Sequence, residues 1–252
     1  VTLSGLELHG NYATVSQDDR VPMVWIQKGK FTIERCKFYD ATKDGVMVTP
    51  VAGAGDIVGG EIRNIEAFRM GRDAVSISGG NTGQKVRNIT VEKVSLKVGY
   101  LRGAVEVSDG TDNIQVRDVY AEDSRYAVDI QDHGGDSAAN THIAINNVAA
   151  VNCQHIIRTA NSPRGHARLT LENLSGRQCD APLQISNTKN VAIKGLTIEC
   201  DSEATSPPIR LTNCQRVRIE KVVIQGLSEA VAAVEQVKCD DVTIKRMVRQ
   251  SR

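Results

Sequence analysis

Glu106, Asp129, Asp132, His133 and Arg158 combine carboxylates, an imidazole and a guanidinium within one stretch of the chain. Adjacent carboxylates raise each other's pKa, and a neighbouring Arg lowers it. Such a set suits three chemistries. A carboxylate pair about 5 Å apart could act as acid and nucleophile at a retaining glycosidic centre, and a wider pair, such as Asp129 with Asp109, could serve an inverting one. Glu106, Asp129 and Asp132 could instead hold Ca²⁺ through oxygen ligands. A Ca²⁺-bound uronate could then lose a proton to a base such as Arg158 or His133, which is lyase chemistry. Each requires these residues to converge on one face, so the elements that carry them come next.

An internal repeat supplies those elements. The pattern apolar, any, apolar, any, any, apolar recurs as VTLSGL at 1, FTIERC at 31, GEIRNI at 60, ITVEKV at 89 and IQVRDV at 114. It continues as IAINNV at 143, LTLENL at 169, VAIKGL at 191, VRIEKV at 217 and VTIKRM at 242. After a polar bend most repeats carry a second short alternating segment: VPMVWIQ, DGVMVTP, DAVSISG, GAVEVSD, YAVDIQD, HIIRTA, APLQIS and PPIRLT. Alternation makes each a strand with one face in and one out. Short strands recurring every 22–30 residues, with no helical periodicity, predict an all-β parallel β-helix: a solenoid of about ten coils filling residues 1–252 as a single domain. Leucine-rich repeats share the period, but the leucines here are few and the period wanders, as it does where bends accept insertions. A strand pattern begins at Val1, which leads us to expect a segment before it, where these folds carry a capping helix.

Val24, Val46, Val75, Val105, Val128, Ile157, Leu183 and Ile209 read as an inward ladder. The next residue of each then forms an outward column: Trp25, Met47, Ser76, Glu106, Asp129, Arg158, Gln184 and Arg210. Glu106, Asp129 and Arg158 would stand on successive coils about 5 Å apart. A slip of one residue in HIIRTA would turn Arg158 inward. Asp109, Asp132, His133 and Asp136 fall in nearby bends, followed by Arg164 and His166. His133, beside two glycines, is equally compatible with capping a bend, and the Glu106–Asp129–Arg158 row with a charge ladder along a sheet. His142 opens an inward strand. Trp25, the single tryptophan, suits a sugar platform or a lid on the core. Asp109, Arg164 and Arg210 complete the expected substrate contacts.

The repeats resemble the right-handed parallel β-helices of the pectin-lyase-like superfamily over the full chain, in phrases such as VTLSGLELHGN, FTIERCKFYDATKDGVMV and VRNITVEKVSL. That resemblance implies a protein that cuts or binds polysaccharide outside the cytoplasm: secreted, periplasmic or on a phage particle. AVDIQDH resembles the acidic strand of the pectate lyases, which implies Ca²⁺-binding roles for Asp129 and Asp132. RTANSPRGHARLTLEN resembles their basic segment, which implies a base role for Arg158. We therefore expect a polysaccharide-active enzyme, with lyase ahead of hydrolase because Arg158 follows the carboxylates. The rival is a non-catalytic carbohydrate-binding or structural β-helix such as a tailspike shaft, which the 4% aromatic content favours.

Lys and Arg number 31 against 30 for Asp and Glu, for a net charge of +1. That balance leaves no electrostatic footprint for nucleic acid and no basic run for a membrane surface. Bare sheet ends would suit a homo-oligomer, a trimer included. Six cysteines stand singly without a CxxC, so we expect buried free thiols.

Overall fold

A computed structural model describes residues 1–13, 16, 20–80, 83–133, 138–160, 164–201 and 204–250. The chain winds as a right-handed parallel β-helix, and no α-helix occurs among the described residues. An eleven-stranded sheet runs along one side of the solenoid and a nine-stranded sheet along the other. All strand pairs are parallel, with each coil hydrogen-bonded to the coil above and the coil below. The absence of helix per repeat disposes of the leucine-rich alternative.

The repeats stack with their pattern in register. Ile89, Ile114, Ile143, Leu169, Val191, Val217 and Val242 sit directly on one another in that order. The doubled polar pair inside the pattern has a backbone cause. Its second residue is Gly5, Arg35, Asn64, Lys93, Asp118, Asn147, Asn173, Gly195, Lys221 or Arg246, and all ten have positive φ. This left-handed residue bends the long strand, and from Cys36 to Val222 the apolar residue after it turns back into the core. Gly, Asn and Asp adopt that conformation most readily, and they hold six of the ten positions. Where polar side chains stack there, they bond along the axis: Asn147 Nδ2 donates to Asp118 Oδ1 at 2.6 Å.

The second sheet carries the ladder inferred from alternation. Val24, Val46, Val75, Val105, Val128, Ile157, Leu183 and Ile209 pair in sequence order and are buried. The uncertain register at HIIRTA resolves with Ile157 inward and Arg158 beside Asp129. A ninth strand, Val234–Val237, escaped the sequence reading because only its first residue is even half-buried. His142 is corrected: it has positive φ, lies exposed and bonds Asp112 Oδ1 at 2.7 Å through Nδ1. It precedes the inward residue Ile143 and does not join the core. All six cysteines are free. Burial pushes the Cys179 thiol up to about 12 and the Cys214 thiol up to about 11.

Gly60 occupies an apolar position of its repeat because Phe31, its direct partner on the neighbouring coil, fills the space. A Cβ at Gly60 would lie 2.3 Å from the ring. Gly60→Leu is therefore expected to overpack the core and cost about 1–3 kcal/mol. Val116→Asp, at a side chain 1% exposed, is expected to cost several kcal/mol through an unpaired buried charge. Chemical denaturation measures both, and wild-type stability in Val116→Asp would refute the inward orientation of Val116 in the first sheet.

Candidate functional site

The outward column forms as the repeats imply. Trp25, Met47, Ser76, Glu106, Asp129, Arg158, Gln184 and Arg210 are successive partners on the second sheet. Its burial differs from the expectation. Glu106 is 1% exposed and Asp129 0%, because a layer of long side chains covers them. Arg158 grips Asp129 with Nε donating to Oδ1 at 2.9 Å and Nη2 donating to Oδ2. Arg158 also lies over the Tyr126 ring, 5.1 Å from its centroid. Burial raises the Asp129 carboxyl above its usual range while Arg158 opposes the shift.

Over Glu106 the cover comes from the bend that precedes the second sheet. Arg102 Nη1 donates to Glu106 Oε2, and Arg72 Nη2 reaches the same oxygen at 3.4 Å. The same bends supply two more carboxyls, Asp44 and Asp73, both without exposed surface. Asp44 Oδ1 accepts from the Asp73 amide at 3.1 Å. Asp73 Oδ1 accepts from the Gly103 amide at 3.2 Å and from the Tyr126 hydroxyl at 2.9 Å. Asp44, Asp73 and Glu106 thus face two guanidinium groups, so three negative charges would leave one uncompensated in a dry site. The acidities separate accordingly. Burial, together with the charge of Glu106, raises Asp73 well above the carboxylate range. Burial would raise Glu106 too, but a hydrogen bond from Asp73 and the charges of Arg102 and Arg72 outweigh it and hold Glu106 at about 2.

Beside this cluster lies a cleft of about 180 Å³ lined by Met47, Thr49, Arg72, Ser76, Ser78, Gly80, Glu106, Asp109 and His133. His133 is its most accessible titratable group, with 38% of its side chain exposed. Asp109 fixes it twice: Oδ1 accepts from the His133 amide at 2.8 Å and Oδ2 meets ring Nδ1 at 2.7 Å. The Ser78 hydroxyl donates to Asp109 Oδ2 at 2.8 Å. Ring Nε2 faces Glu106 Oε1 at 3.7 Å, with the Gln131 amide nitrogen at 3.3 Å. The hydrogen bond to Asp109 raises the pKa of His133, with burial opposing it. An imidazole oriented by a buried carboxylate, with its second nitrogen turned to a cleft, can deliver and recover a proton.

Of the residues singled out from the sequence, Glu106, Asp109 and His133 meet in the cleft. Asp109 is 4% exposed and holds His133, so it stands beneath the imidazole where a substrate contact was expected. Asp129 and Arg158 lie one and two coils further on, engaged with each other. Asp132 is buried and does not line the cleft. Among the described residues no group of three His, Cys, Asp or Glu is placed to hold a metal ion, so the expected Ca²⁺ set of Glu106, Asp129 and Asp132 is not assembled. Trp25 is 48% exposed and stands three coils before Glu106, about 14 Å away along the axis. Arg210 lies four coils beyond Glu106, with Nε donating to Pro207 O at 3.3 Å. Arg164 is exposed and outside the cleft. His166 is buried between Asn140 and Ala160 O. Asp136 lies outside the described residues. Arg72, Asp73, Arg102 and Tyr126 were missed. The signal for them was present two and three residues before each inward valine, where KDGV, RDAV and RGAV stack.

No family model matches the chain, and no curated protein matches it. Solved structures share the fold, a right-handed parallel β-helix. Pre-mature bacteriophage phi29 gene product 12 aligns at 12% identity with a TM-score of 0.59, covering 90% of this chain and 37% of its own. The catalytic domain of a GH87 alpha-1,3-glucanase, solved with tetrasaccharides, aligns at 11% identity with a TM-score of 0.59, covering 98% and 54%. The N-terminal fragment of the same phi29 product aligns at 15% with a TM-score of 0.56, covering 100% and 55%. The chain thus spans between 37% and 55% of the length of these three solved chains.

The buried cluster sets two expectations. A carboxyl whose folded pKa lies above its unfolded value adds stability that is lost as pH rises. The contribution of Asp73 should therefore shrink as pH rises above 3.8, its ordinary value, so wild type should lose melting temperature relative to Asp73→Asn over that range. Glu106 acts oppositely, losing its contribution as pH drops from 4.5 towards 2. An unchanged pH profile in Asp73→Asn would refute the protonated assignment. Arg158→Ala should cost about 3 kcal/mol in denaturant melts, since it strands the fully buried Asp129.

Proposed function

We propose that this chain is the glycan-cleaving β-helix of a polysaccharide-active protein that works outside the cytoplasm or on a particle surface, with hydrolysis at the His133 cleft. The observation that carries this reading is His133 itself: oriented by buried Asp109, facing Glu106 and open to the cleft. The hydrogen bond to Asp109 raises the ring's pKa, which favours the protonated form that gives the Nε2 proton to a glycosidic oxygen. The oxocarbenium-like centre that follows is met by ionised Glu106 on the cleft wall, and water then adds, giving its proton back to the now neutral His133 Nε2. Hydrolysis is better supported than elimination, because Arg158, the expected base of a lyase, is tied to Asp129. Calcium has no step here, since Asp129 is taken up by the same pair. A GH87 alpha-1,3-glucanase on this fold is in keeping with the reading.

The rival is a non-catalytic glycan-binding β-helix, and the shared fold of phi29 gene product 12 and the GH87 glucanase, at equal TM-scores, is compatible with either reading.

Incubation with a polysaccharide panel decides between them. Hydrolysis predicts new reducing ends without the ultraviolet absorbance of an unsaturated product. His133→Gln should lower turnover by about 10² or more, the usual worth of an acid–base group. Because the acid form is the active one, turnover should fall on the alkaline side of the raised His133 pKa, above 6.5. Full activity in His133→Gln would overturn the site, and glycan binding without cleavage would favour the rival.

A further inference from the structure

A second recess lies on the bend that leads into the second sheet, at the opposite strand end from His133. Two adjoining clefts, of about 490 and 360 Å³, share Asn152. Together they cross five successive coils, from Gly99–Leu101 through 123–125, 152 and 154, and 178–180 to 201 and 204–206. At the coil spacing that is a trough of about 19 Å parallel to the axis. An extended ligand fits such a trough, whereas a compact cofactor would use one coil or two.

The lining identifies the ligand's chemistry. Amides at Asn152 and Gln178, with hydroxyls and carboxylates between them, present donors and acceptors at each coil. Asn152 is held upright by donating to Asp123 Oδ1 at 2.5 Å. At one end the Tyr100 ring is 47% exposed. It is set in place by stacking on Tyr12 at 4.6 Å, with Arg20 over the far ring at 4.7 Å to its centroid. A fixed, half-exposed tyrosine beside alternating donors and acceptors suits the apolar face and hydroxyl rim of a pyranose. The charges narrow the class further. Asp123, Asp180 and Asp201 face one lining guanidinium, Arg125, so the trough repels polyuronates and nucleic acids.

We propose that this trough is a binding groove for a neutral, linear oligosaccharide, separate from the His133 cleft. It requires no catalysis and stands whether or not His133 cleaves. Its place on the same solenoid would let it hold one segment of a glycan while another reaches the cleft.

Isothermal titration and amide chemical-shift mapping test it with linear α- and β-linked gluco-oligosaccharides, against an oligogalacturonate of equal length. The expected result is saturable binding of a neutral oligosaccharide, with shifts at Tyr100, Arg125, Asn152 and Gln178. Tyr100→Ala should weaken it roughly tenfold, the worth of one stacked ring, and His133→Gln should leave it unchanged. Absence of binding by every neutral oligosaccharide would overturn the proposal. So would stronger binding of the oligogalacturonate, equal affinity in Tyr100→Ala, or loss of binding in His133→Gln. The last would place the glycan in the cleft described above.

Discussion

Parallel, in-register stacking of one coil on the next governs everything else in this molecule. Each residue's side chain lies directly above its counterpart, about 4.8 Å away, so the character of a position is multiplied along the axis. Ten apolar residues at one place become a dry ladder, and ten left-handed residues become a continuous edge. Neither device needs a helix or a disulfide. The constraint also forbids much: one bulky residue must be answered on the neighbouring coil, as Phe31 is by Gly60.

The same rule makes charge awkward. Carboxylates on adjacent coils are forced close, as Glu106 and Asp129 are. The fold resolves this in two ways. Arg158, the next residue of the column, turns back onto Asp129 and neutralises it. Glu106 borrows Arg72 and Arg102 from the bends, and burial beside Glu106 raises the Asp73 carboxyl well above the carboxylate range, which eases the remaining imbalance. The cluster supports the cleft: Glu106 faces His133, and Asp109 on the following bend orients it. Rigid carboxylates under an accessible imidazole give a site whose geometry is set before any ligand arrives.

Reading the column alone missed the burial of Asp129 and its pairing with Arg158, for a physical reason. Alternation says which way a Cβ points, and both point away from the apolar core as inferred. It says nothing of what lies over them. A guanidinium long enough to fold back, and a tyrosine beside it, convert an outward strand into a second buried layer. Asp109 was recognised as part of the site, yet its role passed from touching a ligand to holding His133, because only the bend's path shows which carboxylate lies beneath the ring.

The sequence by itself determined the β-helix, the repeat boundaries, the inward ladder and the coil-by-coil order of Glu106, Asp129 and Arg158. These follow from local periodicity, and stacking in register carries a local pattern unchanged through the whole solenoid. Tertiary structure alone decided which charges reach solvent, which pair off and where the clefts open. Those outcomes depend on bends of unequal length and on side chains reaching across coils, as Tyr126 reaches Asp73 from 53 residues away, and no local pattern encodes that distance.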